Sequence, residues 1–288
     1  METVVITGAT SGFGVNWLYQ MDESKQCCFF VLGRDESKFK RLISDKPLKN
    51  DVHFIHCRLD SFSSIDSAVK EIQTKAFKVD ILVNNAGVWS SDEIAFSQDD
   101  IEMTLAVNHL APFVLTGKLL PLLLKAEKAS IVNTASFRHK DASPSTHDIQ
   151  LMERYSSEKA YCNSKLYSIL FTQKLASLLH NTQISVNCFD PGIVDTEMLK
   201  KAFPKTLAFI YPLFRKVIAR TPEKGAQTGV FLSQPNSKTG NYYKDCQPKK
   251  VSKLANSKAL SDWLWGESEK LSEFSYPTFT ANDRTTKP

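Results

Sequence analysis

Val4-Val5-Ile6-Thr7-Gly8-Ala9-Thr10-Ser11-Gly12-Phe13-Gly14 is the stretch that decides the fold: an apolar β-branched run passes into a glycine-rich turn and then into a helical pattern. A buried parallel strand feeding such a turn aims several backbone N–H groups, and the positive end of the following helix, at a pyrophosphate. Glycines are required because a side chain would block the phosphates. A dinucleotide is therefore expected at Gly8, Thr10, Ser11, Gly12, Phe13 and Gly14, and hydride transfer is the first chemistry to look for. The Gly-x-x-x-Gly-x-Gly spacing is looser than Gly-x-Gly-x-x-Gly, and alone it reads equally as a plain strand-to-helix turn.

Working outward, apolar β-branched or aromatic runs recur at 3–7, 28–33, 52–57, 79–84, 129–135 and 184–189, separated by helical periodicity at 13–20, 62–76, 98–125 and 157–180. That alternation predicts an α/β fold, a Rossmann-type doubly wound parallel sheet with helices on both faces. In the last helix Leu166, Ile169, Leu170, Phe171, Leu175 and Leu178 form a core stripe. With 288 residues, 42% of them hydrophobic, one domain over 1–288 is expected. The net charge of +5 is spread along the chain, which gives no case for a nucleic-acid partner.

The adjacent Cys27 and Cys28 fall in a strand, where their side chains face opposite ways, so disulfides are not expected and a reducing, cytoplasmic compartment is. The fold begins at Thr3, which leaves no room for a signal peptide, and no apolar run is read as reaching the ~18 residues of a membrane span. Phe137 to Ser157 is polar and reads as a surface loop near the active site. Between 197 and 220, lysines and arginines alternate with Phe203, Leu207, Phe209, Ile210, Tyr211, Leu213 and Phe214. A substrate lid near 195–222 is preferred there to a membrane-surface helix, because Pro204 and Pro212 interrupt any long amphipathic helix. Peripheral contact with an intracellular membrane is compatible with the lid. A short tail starts at about 272.

Hydride transfer to a carbonyl needs a proton donor for the oxygen, and a tyrosine serves if a cation four residues on along a helix stabilises its phenolate. Tyr161 and Lys165 have that spacing, as do Tyr155 and Lys159. Six residues correspond to about 600° of helical rotation, so only one pair can address the cofactor, and the amphipathic helix continues cleanly after Tyr161. His53 and His56 fall on opposite faces of a strand with no completing ligand, so no metal site is expected. Ser136 lacks a Gly-x-Ser-x-Gly elbow, which argues against a hydrolase.

Thr7-Gly8-x-x-x-Gly12-x-Gly14, Asn84-Asn85-Ala86-Gly87, Ser136, Tyr161-x-x-x-Lys165 and Pro191-Gly192 occur in the order of the short-chain dehydrogenase/reductases, which the chain resembles. Val107-Asn108-His109-Leu110, Gly225-Ala226-Gln227-Thr228 and Asn241-Tyr242-Tyr243-Lys244-Asp245-Cys246 are similar to the retinol dehydrogenase and WW-domain oxidoreductase-like branch. The resemblance implies a catalytic tetrad of Asn108, Ser136, Tyr161 and Lys165. In it Tyr161 is the acid/base and Ser136 hydrogen-bonds the substrate oxygen. Lys165 lowers the tyrosine pKa and holds the nicotinamide ribose, and Asn108 holds a relaying water. It also implies that Asp60 accepts from the adenine amino group, that Asn85, Ala86 and Gly87 flank the adenosine ribose, and that Pro191, Gly192, Val194 and Thr196 seat the nicotinamide amide. A plainer reading makes Asp60 the cap of the helix beginning at Phe62.

Two residues depart from that pattern: Ala135, where relatives often have serine, and Asp190, where His, Arg or Asn is usual. At the end of the second strand, Gly33 stands where an acid would select NAD, and Arg34 follows it. A guanidinium there suits a 2′-phosphate, so NADP(H) is expected. The resulting function is NADPH-dependent reduction of a lipophilic aldehyde or ketone, reversible to alcohol oxidation. A non-catalytic NADP(H)-binding regulator and a carbon–carbon double-bond reductase are the alternatives. The resemblance also allows a homodimer or homotetramer through the helices near 98–125 and 157–180.

Overall fold

A computed structural model of the chain describes residues 1–202, 211–234 and 238–277. The chain runs β1 (Glu2–Thr7), α1 (Gly12–Ser24), β2 (Cys27–Gly33), α2 (Glu36–Asp45), β3 (Asp51–His56), α3 (Phe62–Lys75), β4 (Ile81–Asn84), α4 (Met103–Leu105), a π turn (Ala106–Leu110) and α5 (Ala111–Leu123). It continues through β5 (Ala129–Thr134), a 3-10 turn (Phe137–Asp141), α6 (Ser157–Leu178), β6 (Ile184–Phe189), α7 (Glu197–Ala202), α8 (Tyr211–Val217), α9 (Pro222–Leu232), β7 (Tyr242–Lys244), β8 (Gln247–Pro248) and α10 (Lys258–Ser272).

The strands form one sheet in the order β3-β2-β1-β4-β5-β6-β7-β8, parallel except for the β7–β8 hairpin. The order reverses between β1 and β4, and in such sheets a ligand sits in the crevice beyond the carboxyl ends of the strands at that point. All six predicted strands are present. Both faces of the central strands are covered: β4 and β6 are buried along their whole length, β4 through the apolar run Ile81-Leu82-Val83 and β6 with Ser185 and Asn187 buried among apolar residues. One layer packs α3, α5 and α6 beneath Val5, Leu82, Ile131 and Val186, and the other packs α1 with Trp17, Leu18 and Met21 against Val4, Ile6 and Phe189.

Several expectations are corrected. The 98–125 helix starts only at Met103 and is interrupted by the π turn. Met103–Leu123 is in fact long and apolar enough to cross a bilayer; 83% of that window is buried in the fold, as a core helix requires. The cap of α3 is Ser61, whose hydroxyl accepts from the Ser64 N–H, so Asp60 is not the cap. Within the polar 137–157 segment, His139 is fully buried against Tyr242 rather than at the surface. The lid residues Phe203, Leu207, Phe209 and Ile210 lie outside the described residues. All six cysteines are free.

Candidate active site

The glycine turn is built for close approach of backbone. Gly8 has φ +71, and a Cβ there would stand 2.7 Å from Ala86 Cα; a Cβ on Gly14 would stand 2.2 Å from the Gly8 carbonyl oxygen. Thr7 ties this turn to the end of β4, its hydroxyl accepting from the N–H groups of Asn85 (3.0 Å) and Ala86 (3.1 Å). Asn85 reciprocates by donating to the carbonyls of Thr7 and Gly8, both at 3.2 Å. Ser11 precedes α1 without a side-chain cap bond.

A cavity of about 290 Å³ opens over this turn, lined by Gly8, Thr10 to Gly14, Gly33, Arg34, Asp60, Asn85 to Val88 and Thr196 to Met198. Arg34 is exposed, and no ion pair holds it among the described residues. The nearby Arg58 is taken up by Asp60, at 2.7 Å. Thr196 closes the rim against Gly12, where a Cβ would stand 3.3 Å from its methyl group. The Thr196 hydroxyl accepts from the Leu199 N–H (3.3 Å).

Pro191, Gly192 and Val194 adjoin this cavity without lining it. Gly192 has φ +81 and lies beneath Arg220, with its N–H given to Asp190 Oδ1 at 2.9 Å. Val194 pairs with Arg220 in a parallel bridge made by the Ile193 carbonyl and the Asp195 N–H. That pattern turns the N–H and C=O of Val194 itself to the opposite side.

The four expected catalytic side chains converge from separate elements. Ser136 follows β5, Tyr161 and Lys165 lie one turn apart on α6, and Asn108 projects from the π turn. Gly87 links them to the cavity, since a Cβ there would stand 3.4 Å from Asn108 Oδ1 and 3.7 Å from Lys165 Nζ. Asn108 accepts from the Val88 N–H (2.7 Å) and donates to the Val88 carbonyl (2.9 Å) and to Ser164 Oγ (3.0 Å). Its amide therefore shapes the chain beside Gly87. Ser136 is braced by His139, whose Nδ1 lies 2.7 Å from the Ser136 carbonyl and whose Nε2 accepts from the Ser252 N–H. That fixes the Nδ1–H tautomer, and burial holds the imidazole below its ordinary pKa.

Tyr161 departs from expectation. Its pKa is raised, chiefly by burial and then by the Asp190 carboxylate, while the Ser136 hydroxyl bonded to it pulls the other way. Lys165, which was expected to lower it, is buried, donates to the Thr134 carbonyl at 3.1 Å and is itself pushed down to about 8. Asp190 is the residue whose weight sequence reasoning underestimated. Its side chain is fully enclosed, Lys244 Nζ stands 3.1 Å from Oδ2, and its charge acts on both Tyr161 and Lys165. The competing Tyr155 points elsewhere: its hydroxyl meets Glu102 at 3.3 Å, and burial with that carboxylate raises it to about 12.

An acid, a hydroxyl partner and a cation gathered beside a cavity over a glycine-rich turn suit hydride transfer. The sequence pattern of the short chain dehydrogenases matches residues 2–207. The chain belongs to that family. Within the short chain dehydrogenases it falls in the retinol dehydrogenase-like branch: human retinol dehydrogenase 12 is 31% identical over 94% of this chain and 86% of its own. Two solved structures share the fold at 23% identity, each covering 84% of this chain and 95% of its own. One is a 3-ketoacyl-(acyl-carrier-protein) reductase from Brucella melitensis complexed with NADH (TM-score 0.65), and the other a short chain dehydrogenase from Shigella flexneri complexed with NADP (TM-score 0.66). The protein is thus an oxidoreductase of the nicotinamide-dependent short chain dehydrogenases, acting on a small molecule.

Proposed function

We propose that the protein is an NADPH-dependent oxidoreductase that transfers hydride between the nicotinamide and a lipophilic aldehyde or ketone, with alcohol oxidation as the reverse reaction. The observation that carries this is the convergence of Ser136, Tyr161, Lys165 and Asn108 beside Gly87, at the edge of the cavity over the glycine turn. Bound NADPH supplies the hydride. Tyr161 gives its proton to the carbonyl oxygen, and Ser136 hydrogen-bonds that oxygen and orients it. Lys165 stabilises the phenolate left behind and holds the nicotinamide ribose, while Asn108 fixes the chain at Val88 and keeps one lone pair for a relaying water.

The exposed, unpaired Arg34 beside Gly33 supports the choice of NADPH, since a guanidinium there grips a 2′-phosphate and no acid repels it. Ser11 and the backbone of Gly12 to Gly14 take the pyrophosphate, Asp60 the adenine, Asn85 to Gly87 the adenosine ribose, and Pro191 to Thr196 the carboxamide. The likeness to a retinol dehydrogenase supports a lipophilic substrate. Free thiols at all six cysteines suit the reducing cytoplasm. Exposed Val217 and Ile218 beside Arg215 and Lys216 support contact with a membrane surface from which such a substrate enters.

The test titrates purified protein with NADPH and NADH, then follows the nicotinamide absorbance with all-trans-retinal and a panel of aliphatic, aromatic and steroid carbonyls. Turnover with NADPH that survives Tyr155→Phe but not Tyr161→Phe is expected. Tight NADPH binding with no turnover on any carbonyl overturns the reductase reading.

A further inference from the structure

The ring of Tyr161 is stacked on a second aromatic ring, that of Trp89. The indole of Trp89 lies parallel to it, with ring centroids 4.3 Å apart and an interplanar angle of 17°. Trp89 sits in the loop after β4, and each of its neighbours is tied down. Asn108 grips both backbone groups of Val88, Thr104 Oγ1 bonds Ser90 Oγ at 3.1 Å, and Ser157 Oγ donates to Asp92 Oδ1 at 2.6 Å. The Arg138 guanidinium stands 5.9 Å from the indole centroid and is itself anchored to Asp141 and Glu158. Lys165 Nζ lies 5.4 Å from the Tyr161 ring centroid. The result is a run of cation, indole, phenol and cation.

We propose that Trp89 is a positioning residue for proton transfer: its indole sets the plane of the Tyr161 ring and closes one face of it, so that a carbonyl meets the hydroxyl only at its edge, beside Ser136. The proposal rests on Tyr161 being the proton donor of the preceding section. The physical requirement is strict: tilting about Cα–Cβ displaces the hydroxyl oxygen, rotation about Cβ–Cγ leaves that oxygen in place but turns the ring plane in which the O–H prefers to lie, and proton transfer needs the oxygen within reach and the O–H aimed at one acceptor. A flat ring stacked on another flat ring restrains both motions, whereas an aliphatic side chain of similar bulk fills the space without fixing the plane.

Trp89→Phe, Trp89→Leu and Trp89→Ala separate these roles. Trp89→Ala is expected to lower kcat by roughly 10- to 100-fold, the scale of a misplaced reacting group, with the NADPH dissociation constant unchanged. Trp89→Phe should recover most of that loss and Trp89→Leu little of it. Leucine performing as well as phenylalanine, or alanine retaining the full kcat, overturns the proposal. A second reading is independent of turnover and holds even if no carbonyl is reduced. In protein carrying 13C-labelled tyrosine, with the Tyr161 signal identified by its loss in Tyr161→Phe, the stack places that signal upfield by ring current. Trp89→Ala should remove the shift and Trp89→Phe keep part of it. A Tyr161 signal that ignores Trp89→Ala rejects the stack, whereas absent turnover with the shift intact rejects only the reductase reading.

Discussion

At the scale of single residues, Lys165 and Tyr161 set the pH behaviour. Lys165 has a folded-state pKa of about 8 against an ordinary 10.5, because burial penalises its charge. Between those values the unfolded chain binds more protons than the folded one, so stability rises with pH through that window, and at neutral pH the buried ammonium is a liability. Lys165→Met should therefore raise the melting temperature at pH 7, by up to about 3 kcal/mol of stability, while removing activity; calorimetry and a turnover assay check both. Tyr161 titrates well above Lys165, so kcat/KM for reduction should fall as pH climbs past about 8 through loss of the lysine charge. Tyr161→Phe should lower kcat by ~10²- to 10⁴-fold. Arg34→Ser should weaken NADPH binding by roughly 10- to 100-fold, the value of a charge-assisted pair, and leave NADH binding unchanged in a fluorescence titration. The Tyr161 and Lys165 pair was legible because the two stand four apart on one helix, whereas Ser136 and Asn108 were named only through the family resemblance. Trp89 was not legible, because its stacking depends on ties to Asn108, Thr104 and Ser157 from distant parts of the chain.

At the scale of elements, buried strands and long helices were readable and short or polar pieces were not. β1, β2 and β4 announce themselves as apolar runs, and β3, β5 and β6 as β-branched or aromatic residues interleaved with polar ones. The helix α2 has only ten residues and buries only Phe39, so it was passed over, although Phe39, Leu42 and Ile43 keep helical spacing and Asp35 caps it by accepting from the Lys38 N–H. The π turn is invisible because the apolar pattern runs on unbroken through Val107 and Leu110; one extra residue per turn is what aims Asn108 at Val88. The hairpin β7–β8 has strands of three and two residues and a Lys244-Asp245-Cys246-Gln247 turn without the Asn-Gly signal. Asp245 (φ 53) and Cys246 (φ 59) both adopt the left-handed conformation that a type I′ turn demands. Asp245 is retained there by its double ion pair with Arg220, which anchors the base of the 195–222 segment. Cys246 has only weak thiol contacts in compensation, at 3.9 Å to the Gln227 carbonyl and to Thr228 Oγ1, and its N–H bond to Thr228 Oγ1 (3.1 Å) would survive in glycine. Cys246→Gly is expected to stabilise the protein by about 1 kcal/mol, read as a higher denaturation midpoint with unchanged activity.

At the scale of the whole molecule, the faces of α5 and α6 through which the resemblance allows a second copy are covered by the chain's own carboxyl-terminal segment. The helix α10 packs on α6; its Trp265 ring lies 5.0 Å from that of Phe113 on α5, and its Ser268 hydroxyl lies 2.7 Å from His109 Nε2. After α10 the strap continues over α5, where Phe274 presses on Gly117 so closely that a Cβ there would fall 2.2 Å from its ring. Tyr276 then donates to the Phe113 carbonyl at 2.7 Å. Neither part was legible in the sequence. The 272 boundary read as the start of a tail, and Gly117 read as one more residue of an apolar helix rather than the floor under an aromatic ring. A surface already buried by aromatic side chains has little to gain from a partner. The intact chain should therefore sediment as a monomer. Gly117→Ala should dislodge Phe274 and lower the melting temperature even though alanine is the better helix former, and it should make the 273–277 strap more sensitive to protease. Self-association of the intact chain, with cross-links joining α5 or α6 of two copies, would refute the covered-face argument; a strap left undisturbed by Gly117→Ala would show that Phe274 does not hold it.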